Sequence, residues 1–239
     1  MVLPLFIFKP QSAVAVGDSV QLSGTEGRHA VAVRRMRAGE GIQLTDGDGL
    51  RITGEVEIVE GNSLIIKVIN VHNEPVASPR LTLVQAIAKG DRDELAIQAA
   101  TELGISRVIP WQADRSVSRW DAAKTPKAVE RWQTIVAEAA KQALRSHIPL
   151  VELPLNTAAL AKKFKDLGLV IVLDPTAETA LSQIDYDQNQ DISFVVGPEG
   201  GISPEELELF EKSGAVRVRL GNEILRTSTA GLAAISGVQ

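Results

Sequence analysis

The chain has 239 residues, 44% hydrophobic and 23% charged, with a net charge of −5. This is an ordinary globular composition, long enough for one large domain or two modest ones. The absence of cysteine excludes disulfides, thiolate metal sites and thiol nucleophiles, and the three histidines, His29, His72 and His147, lie too far apart to suggest a zinc site.

In chain order, the first 72 residues read as short strands rich in Val and Ile: Leu5–Phe8, Ser19–Leu22, Gly41–Thr45, Arg51–Val59 and Ser63–Val71. Asp46-Gly47-Asp48-Gly49 is a hairpin turn signal, because Gly and Asp tolerate the positive φ such turns need. One helix, from about Thr25 to Arg37, interrupts the strands. Spacing of this kind suggests a small, mostly antiparallel barrel over residues 1–72. Residues 73–79 hold two prolines without periodicity and read as a linker.

From residue 80 to 239 the pattern changes to alternating strands and helices. Leu81–Ile87 is an apolar strand. Asp91 with Glu94 forms a capping-box signature for a helix that Gly104 stops. Arg107–Trp111 is the next strand, and Thr125-Pro126 opens a helix running to about Leu144. Leu169–Leu173 and Ile192–Val196 are further strands. Ser203, Pro204 and Glu206 are the N-cap, first-turn proline and box partner of a helix that Gly214 ends. A short strand over Arg217–Leu220 precedes a last helix from Ser228 to about Ser236. Such alternation implies an α/β domain on a mostly parallel sheet.

Charge is unevenly spread. Residues 28–37 carry Arg28, His29, Arg34, Arg35 and Arg37 and no acid, whereas residues 178–211 carry nine acids and no Lys or Arg. A half-buried helix with arginines facing outward suits phosphate contacts. Arg145 belongs to a more scattered second set with Arg115, Arg119, Lys124 and Lys127. The N-terminal apolar run has no basic flank or cleavage site and no run is long enough to span a bilayer, so a cytoplasmic protein is expected, without membrane or metal.

Two glycine-bearing loops hold the chemistry. Phe194–Gly201 runs from a strand into Gly197-Pro198-Glu199-Gly200-Gly201, and Leu220–Ala230 follows one helix and one strand later. Neither a dinucleotide fingerprint nor a P-loop is present. Each loop exposes main chain with little side chain, which suits a flat polar cofactor. Arg226 stands at a helix start, where the positive dipole end disfavours it unless an anionic or electron-rich partner is near. Each loop read alone is also an ordinary connection.

Together, Gly-Pro-Glu-Gly-Gly at 197–201 and Leu-Gly-x-x-Ile-Leu-Arg-Thr-x-Thr-Ala at 220–230 resemble the C-terminal signature of the ribosomal RNA small-subunit methyltransferase E family, in the SPOUT class. Ile97-Gln98 with Glu102-Leu103-Gly104, Arg145 before Ile148-Pro149, and His29 with Val33-Arg34-Arg35 agree with it, so the resemblance covers the whole chain. It implies a PUA-like N-terminal β-barrel that contacts RNA and a C-terminal trefoil-knotted domain that binds S-adenosylmethionine. It also implies a homodimer and methylation of N3 of one uridine in 16S ribosomal RNA, on free RNA or on the small subunit. On this pattern Leu173, Gly197, Gly201, Leu220, Gly221, Leu225 and Thr227 line the cofactor pocket. Arg226 stabilises charge on the uracil, Glu199 either accepts the proton or orders its loop, and Arg28, Arg34, Arg35, Arg37 and Arg145 contact RNA. Two positions depart from the family: Leu5 stands where Arg is common, and Ser228 where Glu is common. They leave open a non-catalytic RNA-binding assembly factor with the same fold; a second alternative, an α/β enzyme using another nucleotide, has the missing dinucleotide and P-loop fingerprints against it.

Overall fold

A computed structural model describes residues 2–239 of the chain, which divide into two compact units. One comprises residues up to Val76 together with Ala140–Ile148, and the other Ala77–Ala139 with Pro149–Gln239.

The first unit is built on a five-stranded sheet of β1 (Leu5–Ile7), β2 (Ser19–Leu22), β3 (Gly41–Thr45), β4 (Leu50–Glu60) and β5 (Ser63–Asn73), in the order β1-β3-β4-β5-β2. Every pairing is antiparallel except β1 with β3. Alternation places Ile42, Leu44, Ile52, Val56, Leu64 and Ile66 in one core with Phe6, Leu22 and Met36. Gly47 and Gly49 sit at φ +87° and +109° in the β3–β4 turn, as the Asp-Gly repeat requires. The helix expected over 25–37 is shorter. Helix α1 (Gly24–Arg28) passes into a wider π-type turn over His29–Val33, and Arg35 takes φ +56°, which ends the helix.

Glu74, in the stretch read as linker, is held firmly. Its carboxylate accepts hydrogen bonds from Arg51 and from the Ser146 hydroxyl, while Arg51 also donates to the Leu144 carbonyl at 2.7 Å. The Arg51 bond, reinforced by Ser146 against the opposing effect of burial, brings the Glu74 pKa down to about 2. This cluster ties residues 140–148 into the first unit and holds Leu144 at φ +54°.

The second unit carries a seven-stranded, all-parallel sheet: β6 (Leu81–Ala86), β7 (Arg107–Gln112), β8 (Leu150–Val151), β9 (Leu155–Asn156), β10 (Leu169–Leu173), β11 (Ile192–Val196) and β12 (Val216–Val218). Its order is β12-β10-β11-β6-β7-β8, with β9 also on β7. Helices cover both faces, which is why these strands read as continuous apolar runs. Helices α4 (Thr157–Lys163) and α5 (Pro204–Lys212) pack Leu160 and Phe210 against Val84, Trp111, Val172 and Val195. On the sheet's other helical layer, α2 (Arg92–Glu102) packs with α6 (Thr227–Gly237). A Cβ at Gly231 of α6 would lie 2.9 Å from Leu83 and 3.2 Å from Val196, so glycine sets how closely this helix approaches the strands. Helix α3 spans Thr125–Gln142.

Of the two capping boxes expected, the one at Ser203 forms: Ser203 Oγ accepts the Glu206 N–H and Glu206 Oε2 accepts the Ser203 N–H. The one at Asp91 does not. Glu94 instead forms an ion pair with Arg131, and the Asp93 carboxylate takes the Ala88 and Glu94 N–H groups. Among the described residues no helix is long and apolar enough to cross a membrane.

Candidate active site

The carboxyl ends of β10, β11 and β12 open into one cavity of about 720 Å³. This is the end of a parallel sheet where ligands bind in α/β proteins, and the volume lies within the range of small-molecule sites. Leu173, Val196 and Val218 form its base, and both glycine loops form its walls.

The first loop is fixed by close approach and by one carboxylate. A Cβ on Gly197 would stand 2.7 Å from Ile202 Cγ1, and one on Gly200 3.1 Å from the Arg115 side chain. Gly201 donates its N–H to the Pro198 carbonyl at 2.9 Å and takes φ +73°, so glycine is needed there for its backbone. Glu199 Oε1 accepts the Lys89 N–H at 3.0 Å and Arg92 Nη1 at 2.7 Å. Burial acts to raise the Glu199 pKa, but hydrogen bonds from its own N–H, from Arg92 and from Lys89 prevail and hold it below the usual carboxylate value. Behind this loop Glu206 is buried, and its Oε1 accepts the Asp114 N–H at 2.9 Å and the Thr157 hydroxyl at 2.7 Å.

The second loop leaves β12 through Arg219, whose N–H donates to Thr179 and whose carbonyl accepts from Leu181. From Leu220 through Leu225, no main-chain N–H or C=O has a partner among the described residues. Gly221 differs from the glycines of the first loop. A Cβ there would have no neighbour nearer than Glu223 Oε2 at 3.9 Å, and its φ lies outside the left-handed region, so the fold itself does not demand glycine. Beside the loop, Asp174 is buried and bound by Arg217 (2.6 and 3.0 Å) and by Thr176. Burial would raise its pKa, yet the Thr176 N–H, Arg217 and the Thr176 hydroxyl hold it below the ordinary value.

Thr227 joins the two loops. Its hydroxyl donates to the Gly197 carbonyl at 2.8 Å and accepts from Gln85 Nε2 at 2.9 Å. Gln85 is fully buried on β6, and its Oε1 has no hydrogen-bond partner among the described residues. The N-cap of α6 is Arg226. The Arg226 side chain is exposed at the cavity and pairs with no group among the described residues.

All nine cavity residues named from the sequence, Leu173, Gly197, Glu199, Gly201, Leu220, Gly221, Leu225, Arg226 and Thr227, line this one space. Sequence reading did not single out Arg92, Asp174 or Gln85 for the site. Asp174-Pro175 directly after an apolar strand was a usable signal for the second. Nothing in the local sequence marks Arg92 or Gln85, which act through partners more than 100 residues away. The arginines read as RNA contacts all fall in the first unit. Arg28, Arg34, Arg35 and Arg37 are exposed, and their guanidinium groups have no partner among the described residues. Arg145 is half-buried, and burial pushes its pKa below the ordinary arginine value. Among the described residues no cluster of His, Asp or Glu is placed to hold a metal ion.

Both units match domains of RNA methyltransferases. Residues 76–239 match the family model of an RNA methyltransferase domain and residues 22–69 that of an RNA methyltransferase PUA domain. Ribosomal RNA small subunit methyltransferase E of Mycobacterium bovis is 41% identical over 230 residues, 95% of this chain and 86% of the relative. The Bacillus subtilis protein of that name is 32% identical over 98% of this chain and 94% of its own. The chain belongs to the ribosomal RNA small subunit methyltransferase E family. Among solved structures, the Neisseria gonorrhoeae member bound to S-adenosyl methionine matches with a TM-score of 0.87 at 31% identity, covering 100% of this chain and 97% of that one. A Legionella pneumophila methyltransferase in complex with the same cofactor gives 0.88 at 29% identity, with 100% and 98% covered.

Proposed function

We propose that this protein methylates N3 of one uridine in 16S ribosomal RNA, using S-adenosylmethionine. The observation that carries the reading is the second loop: unpaired main chain from Leu220 to Leu225 facing a cavity, with open space at Gly221 that a side chain would occupy. These groups fit a cofactor with a flat polar base and a charged tail. Leu173, Gly197, Gly201, Leu220, Gly221, Leu225 and Thr227 would hold it. When bound, S-adenosylmethionine supplies an electrophilic methyl group on a sulfonium.

Uridine N3 bears a proton at neutral pH, so methylation requires its loss, and negative charge develops on the uracil oxygens. Arg226 presents at the cavity wall a guanidinium that pairs with no acid among the described residues, the requirement for stabilising that charge. Glu199 is suited to ordering its loop rather than to accepting the proton. Its carboxylate already binds Arg92 and Lys89, and its lowered pKa makes it a weak base. The N3 proton then passes to solvent. Ser228 is buried on α6, so the position where Glu is common in the family carries no base here. The target base has to leave its stack to reach the cavity.

The exposed side chains of Ile224 (82%) and Leu225 (40%) on the second loop favour a homodimer. The trefoil knot is read from the family resemblance. An open cavity beside an unpaired arginine favours catalysis over a purely binding role. The decisive experiment is transfer of a radiolabelled methyl group to small ribosomal subunits lacking the mark, with mapping of the modified nucleotide. Arg226→Ala should lower turnover by about 10²–10³-fold while the cofactor still binds. Unchanged turnover would remove Arg226 from the reaction.

A further inference from the structure

We propose that the first unit contains a second RNA site: a pocket that takes one unstacked nucleobase of single-stranded RNA. The proposal rests on the RNA reading above and adds to it a place where a base, rather than the phosphate backbone, is bound.

The site is a cavity of about 560 Å³ lying wholly within the first unit. Its interior is apolar, with Leu5 and Met36 buried and Leu3 half-buried at its wall. Polar edges converge on it. Gln142 offers an amide with no hydrogen-bond partner among the described residues, and the His29 ring, stacked edge-on against Phe6 at 5.7 Å, presents further nitrogen atoms. An amide both donates and accepts, as the edge of a base requires. An apolar slot with a donor–acceptor pair at its border suits a flat heterocycle better than a phosphate or an aliphatic chain.

The walls are held in place before any ligand arrives. Glu26 of α1 accepts the Ile7 N–H of β1 at 3.1 Å and binds the buried Lys141 ammonium of α3 at 2.8 Å, linking three elements that frame the space. The Pro4 carbonyl accepts the Gln43 N–H at 2.9 Å. The turn carrying His29 and Arg34 is closed by the Arg34 N–H to the His29 carbonyl and by the Met36 N–H to the Ala30 carbonyl. A preformed pocket loses little entropy on binding.

Charge selects the occupant. Arg34 and Glu40 line the cavity; the Glu40 carboxylate accepts the Arg37 N–H at 3.1 Å, and Arg28, Arg35 and Arg37 stand on the same exposed segment as Arg34, with none of the four guanidinium groups paired with an acid among the described residues. Arg35 is held in the left-handed region at φ +56°, a conformation a non-glycine residue keeps only where its surroundings impose it. An unpaired arginine at the wall of an apolar slot, with three more on the same segment, matches a base flanked by phosphates.

The test uses fluorescence anisotropy on the full chain with two labelled probes, an unstructured mixed-sequence oligoribonucleotide and an abasic phosphodiester oligomer of the same length. The base-bearing probe should bind about tenfold more tightly. Leu3→Trp, which fills the slot, should bring the two probes to equal affinity. Gln142→Leu, at an exposed helix end, should shrink the preference as well, and serves alone if Leu3→Trp does not fold. Equal affinity of the unsubstituted chain for both probes, or a preference that the folded variants retain, overturns the pocket and leaves the RNA reading standing. Binding of neither probe overturns both.

Discussion

Replacing Thr227 by valine removes one hydroxyl and keeps the side chain's shape. The Gly197 carbonyl loses its donor, and Gln85 Nε2 keeps only the Ala86 carbonyl at 3.2 Å. Leaving a buried polar group unsatisfied costs about 1–3 kcal/mol. In a chain of this size each kcal/mol lowers the melting temperature by about 2–4 °C, so Thr227→Val should melt about 2–12 °C lower. Because this bond ties the first loop to the start of α6, the cavity walls should also lose their spacing. Affinity for S-adenosylmethionine should fall on the order of tenfold, equivalent to about 1.4 kcal/mol. Thermal unfolding and calorimetric titration measure the two effects. Thr227→Ser, which keeps the oxygen, should retain wild-type affinity. A valine variant with unchanged melting temperature and affinity would refute the coupling of the two loops.

Gly221→Val should abolish detectable cofactor binding with little change in stability, since a Cβ there meets open space in the folded chain; tight binding by calorimetry would place the cofactor elsewhere. Replacing Arg34 and Arg35 together by alanine should weaken RNA binding and reduce the slope of log affinity against log salt by about 1.4, or roughly 0.7 per lost phosphate contact. An unaltered slope would move the RNA face off this turn. Asp93 gives a pH signature. Burial, only partly offset by the Ala88 and Glu94 N–H groups, pushes its pKa from 3.8 up to about 6. Its protonated form is favoured by folding, so the stability it contributes is fully present below pH 3.8 and is lost as pH rises through 6. The stability of wild type relative to Asp93→Asn should therefore fall by about 3 kcal/mol between acid and neutral pH. Denaturant titrations showing a pH-independent difference would contradict the assignment.

The elements were legible where a local rule has no competitor. Ser203, Pro204 and Glu206 open α5 as their types dictate, and Gly214 at φ +93° follows its end. The rule failed at Asp91, because Glu94 has Arg131 within reach in the fold and the ion pair replaces the box. It failed again after Arg28: periodicity through Arg37 suggested one helix, but the chain widens at His29 and turns left-handed at Arg35. The two loops were visible because glycine after an apolar strand leaves main chain uncovered. Their being neighbours was not visible, because it depends on β10, β11 and β12 lying side by side and on a hydroxyl reaching 30 residues back to Gly197.

Composition and pattern alone pointed to a small β unit followed by a parallel α/β unit, and singled out the glycine loops and the arginine that line one cavity. Burial period, turn residues and caps act over a few residues and so are written locally. Tertiary structure alone decided that Glu199 is occupied by Arg92, that Thr227 and Gln85 set the distance between the loops, and that residues 140–148 join the first unit through Arg51, Glu74 and Ser146. Each of these is a contact between groups far apart in the chain, and a hydrogen bond a few ångströms long depends on where folding leaves its two ends, which no neighbouring residue specifies.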